Sequence, residues 1–182
     1  MRIISGEFRR RKLTVPSGEL TRPTSNRVRE AMFNVIASRM DLDGAHVLDL
    51  FSGTGALGLE ALSHGAKSVT FVDSHPQALA CARDNAESLD VSSRCTFLRM
   101  DVRAFLEKHN RNRFDLILAD PPYDLAYISD LPGIMGRHVG PDGLFVFEHD
   151  KRIEFSNRAD LSASKSYGRT HLSIFEYQLN DE

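Results

Sequence analysis

The stretch LDLFSGTGALGLE sets Gly53, Gly55 and Gly58 in GxGxxG spacing, and Asp73 follows 20 positions after Gly53. Glycines so spaced permit a tight turn and a close approach of a ligand to the backbone, while an acid at the next strand end can take both hydroxyls of a ribose. The pattern points to a nucleoside-containing cofactor. Two more carboxylates separate a dinucleotide from S-adenosyl-L-methionine. Asp49 lies inside the apolar run ahead of the turn, where a carboxylate is expensive to bury and a cationic amino group would offset the cost. A pyrophosphate would be repelled there, but the ammonium of S-adenosyl-L-methionine would not. Asp101, in RMDVRAF, is placed to accept from an adenine amine and also to cap the following helix. Phe51, within the turn, and Val102, next to Asp101, are assigned to the same cofactor site. One stretch remains: Asp120, Pro121, Pro122 and Tyr123 stop the apolar run FDLILA with an acceptor, two stiff residues and an aromatic ring.

These residues fall at the ends of elements that the hydrophobic pattern predicts. HVLDLF, SVTFVD, CTFLRM, FDLILAD and GLFVFEH are too continuously apolar for one-sided strands and read as strands buried on both faces. Between them lie helical patterns: GALGLEALSHG, then HPQALACARDNAESL with Ala78, Ala82, Ala86 and Leu89 in one stripe, then VRAFLEKH, then AYISDLPGIMGRHV, interrupted around Pro132 and Gly133. Such alternation implies an α/β, doubly wound, Rossmann-like and mainly parallel sheet. The closing SKSYGRTHLSIFEYQL predicts two strands about a turn at Gly168, an antiparallel addition at the sheet edge.

The first 40 residues hold nine Lys/Arg against three acids, a charge of +6, while the remainder carries −8. A basic block ahead of an acidic body suggests a polyanionic partner met by the N-terminal segment. Residues 1–23 read as a basic arm, irregular or hairpin-like, with RIISG and KLTVP as strand candidates. Residues 24–182 read as the main domain. It opens on a helix over residues 24–40 whose apolar stripe is Val28, Met32, Val35 and Ile36. Arg27 and Arg29 fall in or near its first turn, where the helix dipole disfavours cations, a placement that asks for an anion nearby. No stretch has the length of a signal peptide core or a membrane span, so a cytoplasmic protein is expected. Cys81 and Cys95 lack companions at metal-ligand spacing, and no metal site is expected. A monomer is the default.

The glycine turn, Asp73, Asp101 and DPPY, in that order, resemble a class I S-adenosyl-L-methionine-dependent methyltransferase acting on an exocyclic amine. RIISGEFRRRKL, TRPTSNRVREAMFNVI, VLDLFSGTGALGLEALSHGA, DPPY and YGRTHLSIFEY resemble, more narrowly, the RsmD family of bacterial 16S rRNA guanine-N(2)-methyltransferases. The matching stretches run from residue 2 to residue 177. The resemblance implies transfer of a methyl group to the N(2) amine of a guanine in 16S rRNA, within the small ribosomal subunit or an assembly intermediate.

The chemistry accounts for the residue types. An exocyclic base amine is planar, with its lone pair delocalised, and is a poor nucleophile. The Asp120 carboxylate and the Pro121 carbonyl can each accept one of its hydrogens, holding the nitrogen and favouring lone-pair density towards the methyl group. Pro121 and Pro122 supply no N–H and stiffen the turn, and Tyr123 can stack on the base. The target must be unpaired or flipped outward. Arg9, Arg10, Arg11, Lys12 and Arg22 can hold RNA phosphates, and Arg27 or Arg29 either phosphate or the cofactor carboxylate. The rivals are an amine methyltransferase acting on DNA adenine or a protein glutamine, a catalytically silent RNA-binding assembly factor, and an NAD-linked oxidoreductase, for which the chain has no substrate domain.

Overall fold

The computed structural model describes residues 1–16 and 25–178. Helix α1, Asn26–Ala37, starts where the Ser25 hydroxyl accepts the Val28 N–H at 3.2 Å. It is shorter at both ends than the pattern over residues 24–40, and its predicted stripe is buried. There follow β1 (His46–Leu50), α2 (Ala56–Ser63), β2 (Ser68–Asp73), α3 (Pro76–Ser88), β3 (Cys95–Arg99), α4 (Val102–Lys108), β4 (Phe114–Ala119), α5 (Leu131–Met135), β5 (Val139–Asp150), β6 (Leu161–Tyr167) and β7 (Thr170–Glu176). The strand order is β3-β2-β1-β4-β5-β7-β6, with β3 through β5 parallel and β7 antiparallel to both β5 and β6. This is an α/β, Rossmann-like sheet of the class I type with an antiparallel C-terminal strand.

Alternation along each strand divides the core in two. Val47, Val69, Phe71, Leu116, Leu118, Leu144 and Val146 pack on one face with residues of α1, α2 and α3. Leu48, Leu50, Val72, Ile117, Ala119, Phe145 and Phe147 pack on the other with residues of α4 and α5. Burying each such Leu, Val or Phe contributes roughly 1.5–3 kcal/mol, enough to fix the register, because a slip of one residue would turn every side chain to the wrong face.

Three expectations need correction. CTFLRM is not buried on both faces: β3 is an edge strand and most of it is only half-buried. The C-terminal hairpin does add antiparallel at the sheet edge, as expected, with β7 paired to β5 and β6 outermost, and it buries Leu172, Ile174 and Phe175. Pro132 and Gly133 do not interrupt a long helix; they lie inside α5, where proline tolerates the first turn since its missing N–H has no partner there. RIISG and KLTVP form no strands, only an isolated bridge between Arg2 and Lys12.

Residues 1–16 are packed onto α2 and α3. Ile3, Phe8 and Leu13 are buried in the first core. The Glu60 carboxylate, 1% exposed, accepts the N–H groups of Ile4 and Ser5 at 2.8–3.1 Å. Asn85 and Thr14 bond reciprocally, Thr14 N–H to Oδ1 at 2.7 Å and Nδ2 to the Thr14 carbonyl at 3.0 Å.

Candidate active site

The site is built at the carboxyl ends of the parallel strands, where the glycine turn, Asp73, Asp101 and DPPY end or follow β1, β2, β3 and β4. β1 runs directly into the glycine turn. Phe51 takes φ of 56°, a left-handed conformation that costs a bulky residue of order 1–3 kcal/mol. Gly55, at φ 77°, is the N-cap of α2 and tolerates this conformation freely. Gly58 answers a different need: a Cβ there would lie 2.4 Å from Cε1 of Phe71. Its lack of a side chain lets α2 press against β2.

The carboxylates are held by backbone donors. Asp49 is 1% exposed, and its Oδ2 accepts the Gly58 N–H at 2.9 Å. Burial pushes its pKa well above the ordinary carboxylate value; the Gly58 bond opposes this, and the charges of Asp73 and Asp120 add to it. Asp73 accepts the Gly53 N–H on Oδ2 and the His75 N–H on Oδ1, both at 2.8 Å. Each oxygen keeps a second lone pair for a ribose hydroxyl. Asp101 is exposed and caps α4 by accepting the Ala104 N–H at 3.1 Å. Asp120 follows β4, and the Tyr123 hydroxyl lies 2.9 Å from the Thr170 hydroxyl, tying the DPPY turn to the start of β7.

One cavity of about 690 Å³ joins these pieces. Asp49, Phe51, Gly53, Asp73, Asp101, Val102, Asp120, Pro121, Pro122 and Tyr123 all line it, as predicted together; Gly55 does not, serving as the α2 cap. Sequence reasoning missed Glu148, Tyr167, Arg169 and Thr170, which line the same cavity. Glu148 ends the apolar run FVF much as Asp120 ends FDLILA, a signal that was available in the pattern.

Arg9, Arg10, Arg11 and Lys12 are exposed on the docked N-terminal segment, and Arg27 is exposed on α1. Arg22 lies outside the described residues. Arg29 requires a correction, since it is fully buried and cannot reach a phosphate or a cofactor carboxylate. Its Nε lies 3.5 Å from Glu60 Oε2, and its Nη2 donates to the Arg2 carbonyl and, at 3.1 Å, to Asn26. The anion that its place in the helix asked for is Glu60. Desolvation lowers the Arg29 pKa, and Glu60 works against that. Among the described residues no group of His, Cys, Asp and Glu could hold a metal ion, and no helix is long and apolar enough to cross a membrane.

A family model described as conserved hypothetical protein 95 matches residues 1–176. A Haemophilus influenzae protein named ribosomal RNA small subunit methyltransferase D is 37% identical over 163 residues, covering 83% of this chain and 79% of that one. A Buchnera aphidicola protein of the same name is 32% identical over 181 residues, covering 96% of this chain and 91% of the other. The chain belongs to the RsmD family. The solved structure of yhhF from Escherichia coli superposes with a TM-score of 0.86 at 27% identity, over 99% of both chains. The RsmD match extends over the N-terminal segment as well as the sheet, so the docking of residues 1–16 on α2 falls within the matched region.

Proposed function

We propose that this protein transfers a methyl group from S-adenosyl-L-methionine to the exocyclic N(2) amine of a guanine in small-subunit rRNA. The carrying observation is the single continuous cavity with the glycine turn and Asp49 at one part of its wall and DPPY at another. Support for the substrate class comes from the relatives, which are named ribosomal RNA small subunit methyltransferases; the guanine N(2) target follows from the resemblance to the RsmD family.

The residues fit the donor chemically. Asp49 is a buried anion that a cationic ammonium would compensate, Asp73 offers acceptors to two ribose hydroxyls, Asp101 offers one to an adenine amine, and Phe51 and Val102 give apolar wall. When bound, S-adenosyl-L-methionine supplies an electrophilic methyl carbon on a sulfonium centre. Asp120 and the Pro121 carbonyl accept the two hydrogens of the target amine and hold its nitrogen, with the Pro121–Pro122 pair keeping that carbonyl aimed. Tyr123, anchored through Thr170, stacks on the flipped base. Arg9, Arg10, Arg11 and Lys12 hold RNA phosphates, and Arg27 holds either a phosphate or the cofactor carboxylate. The substrate is the rRNA within the small subunit or an assembly intermediate.

The test is methylation with labelled donor of naked 16S rRNA and of small subunits taken from a strain lacking the protein, followed by mapping of the modified nucleotide. Label in one guanine at N(2) is expected. Label only in DNA or in a protein, or no label with any acceptor, would overturn the reading. As the N–C bond forms and S-adenosylhomocysteine leaves, the amine must lose one proton, and Asp120 takes it; an Asp120→Asn pH–rate profile identical to that of the parent protein would reject that role.

A further inference from the structure

Glu148 is a buried carboxylate in the wall of the cavity, and the proposed chemistry leaves it without a task. β4 and β5 are paired in register through Ala119 and Phe147, so the next residues, Asp120 and Glu148, stand side by side. Adjacent strands lie about 4.8 Å apart. Alternation puts both acids on the core face shared by Leu118 and Val146, the same face as Asp49. Arg169 and Thr170 line the cavity from the β6–β7 turn.

From this geometry we infer that Glu148 is a specificity residue that accepts the ring N1–H of guanine beside the amine held by Asp120. In guanine, N1–H and one N2–H point the same way along one edge, so their acceptors must lie next to each other. Two carboxylates on neighbouring strands at one level provide that arrangement. Adenine carries a lone pair at N1, which a carboxylate repels, so the same residue rejects adenine. The inference rests on the proposed rRNA guanine methylation and names what selects the base.

The test uses RNA substrates with guanine or 2-aminopurine at the mapped target. The analogue keeps the 2-amine but has no N1–H. For the parent protein, kcat/KM is expected to fall by about 10- to 100-fold with 2-aminopurine, the loss of one hydrogen bond to a charged group. Glu148→Gln, whose amide can either accept or donate, should bring the ratio below about fivefold. Glu148→Ala, which removes the acceptor altogether, should compress it too and serves if the Gln variant does not fold. Equal rates on both RNAs with the parent protein, or an unchanged ratio in a folded variant, would overturn the inference while leaving the guanine reaction intact. Failure of the parent protein to methylate the guanine RNA in any form would instead remove the functional reading on which it rests.

Discussion

Asp49→Asn should move stability and cofactor affinity in opposite directions. In the free protein the carboxylate has one backbone donor, the Gly58 N–H, while Asp73 and Asp120 add like charge. Asparagine can keep the Gly58 bond through Oδ1 and removes the buried charge. Relieving an under-compensated buried ion is worth about 1–3 kcal/mol, and for a chain of this size each kcal/mol moves Tm by about 2–4 °C. A rise of roughly 2–12 °C is expected without cofactor. The ammonium of S-adenosyl-L-methionine then loses its counter-ion, and truncating one partner of a buried charge pair costs about 2–5 kcal/mol, so Kd rises by at least roughly 30-fold. Thermal unfolding and calorimetric titration read the two effects. The same carboxylate fixes a pH sign. Its pKa is raised in the fold, so the free protein binds a proton that the unfolded chain has released, and this contribution to stability is lost as pH rises from 3.8 through the raised value. Cofactor binding needs the charged form and weakens as pH falls through that window. A variant that binds cofactor as tightly as the parent protein, or that melts lower, would refute the assignment of Asp49 to the ammonium.

Glu60→Gln leaves the buried Arg29 cation without its counter-charge and should lower stability by about 3–5 kcal/mol, measured by urea unfolding. Replacing Arg9, Arg10 and Arg11 by Gln should weaken RNA binding and make the slope of log K against log salt shallower by about 2; calorimetry should find cofactor affinity unaltered. Gly58→Ala drives a methyl into Phe71 and should cost about 1–3 kcal/mol, part of it recovered by a second change, Phe71→Leu, in thermal melts. His138 and His149 are buried, and burial lowers both pKa values below 6.5. The unfolded chain protonates them first, so their share of stability is present above pH 6.5 and is lost as pH falls from 6.5 through the lowered values. The denaturation midpoint should drop between pH 7 and 5.5, with a shallower slope in His149→Gln.

The cavity wall at the ends of β1 to β4 was legible in the sequence because its residues follow one another along the chain. Gly53, Asp73, Asp101 and Asp120 each close or follow an apolar run, and a parallel sheet gathers such ends on one edge. The wall contributed by Glu148 and Thr170 was less legible, because they reach the cavity through the pairing of β5 with β4 and β7, a register that local pattern does not specify. Arg29 was misassigned for a related reason. Its position in the first turn of α1 was read correctly as needing an anion, but the anion comes from α2, 31 residues on, and only packing brings Glu60 there. The exposure of β3 was missed because an edge strand and a central one share the same apolar residues, and their difference lies in strand order.

The way Glu60 grips Ile4 and Ser5 bears on how the protein should be handled. A variant trimmed of its first five residues would strand a buried anion and strip Arg29 of the Arg2 carbonyl it donates to, so loss of yield after such trimming would reflect misfolding and not missing contacts with RNA.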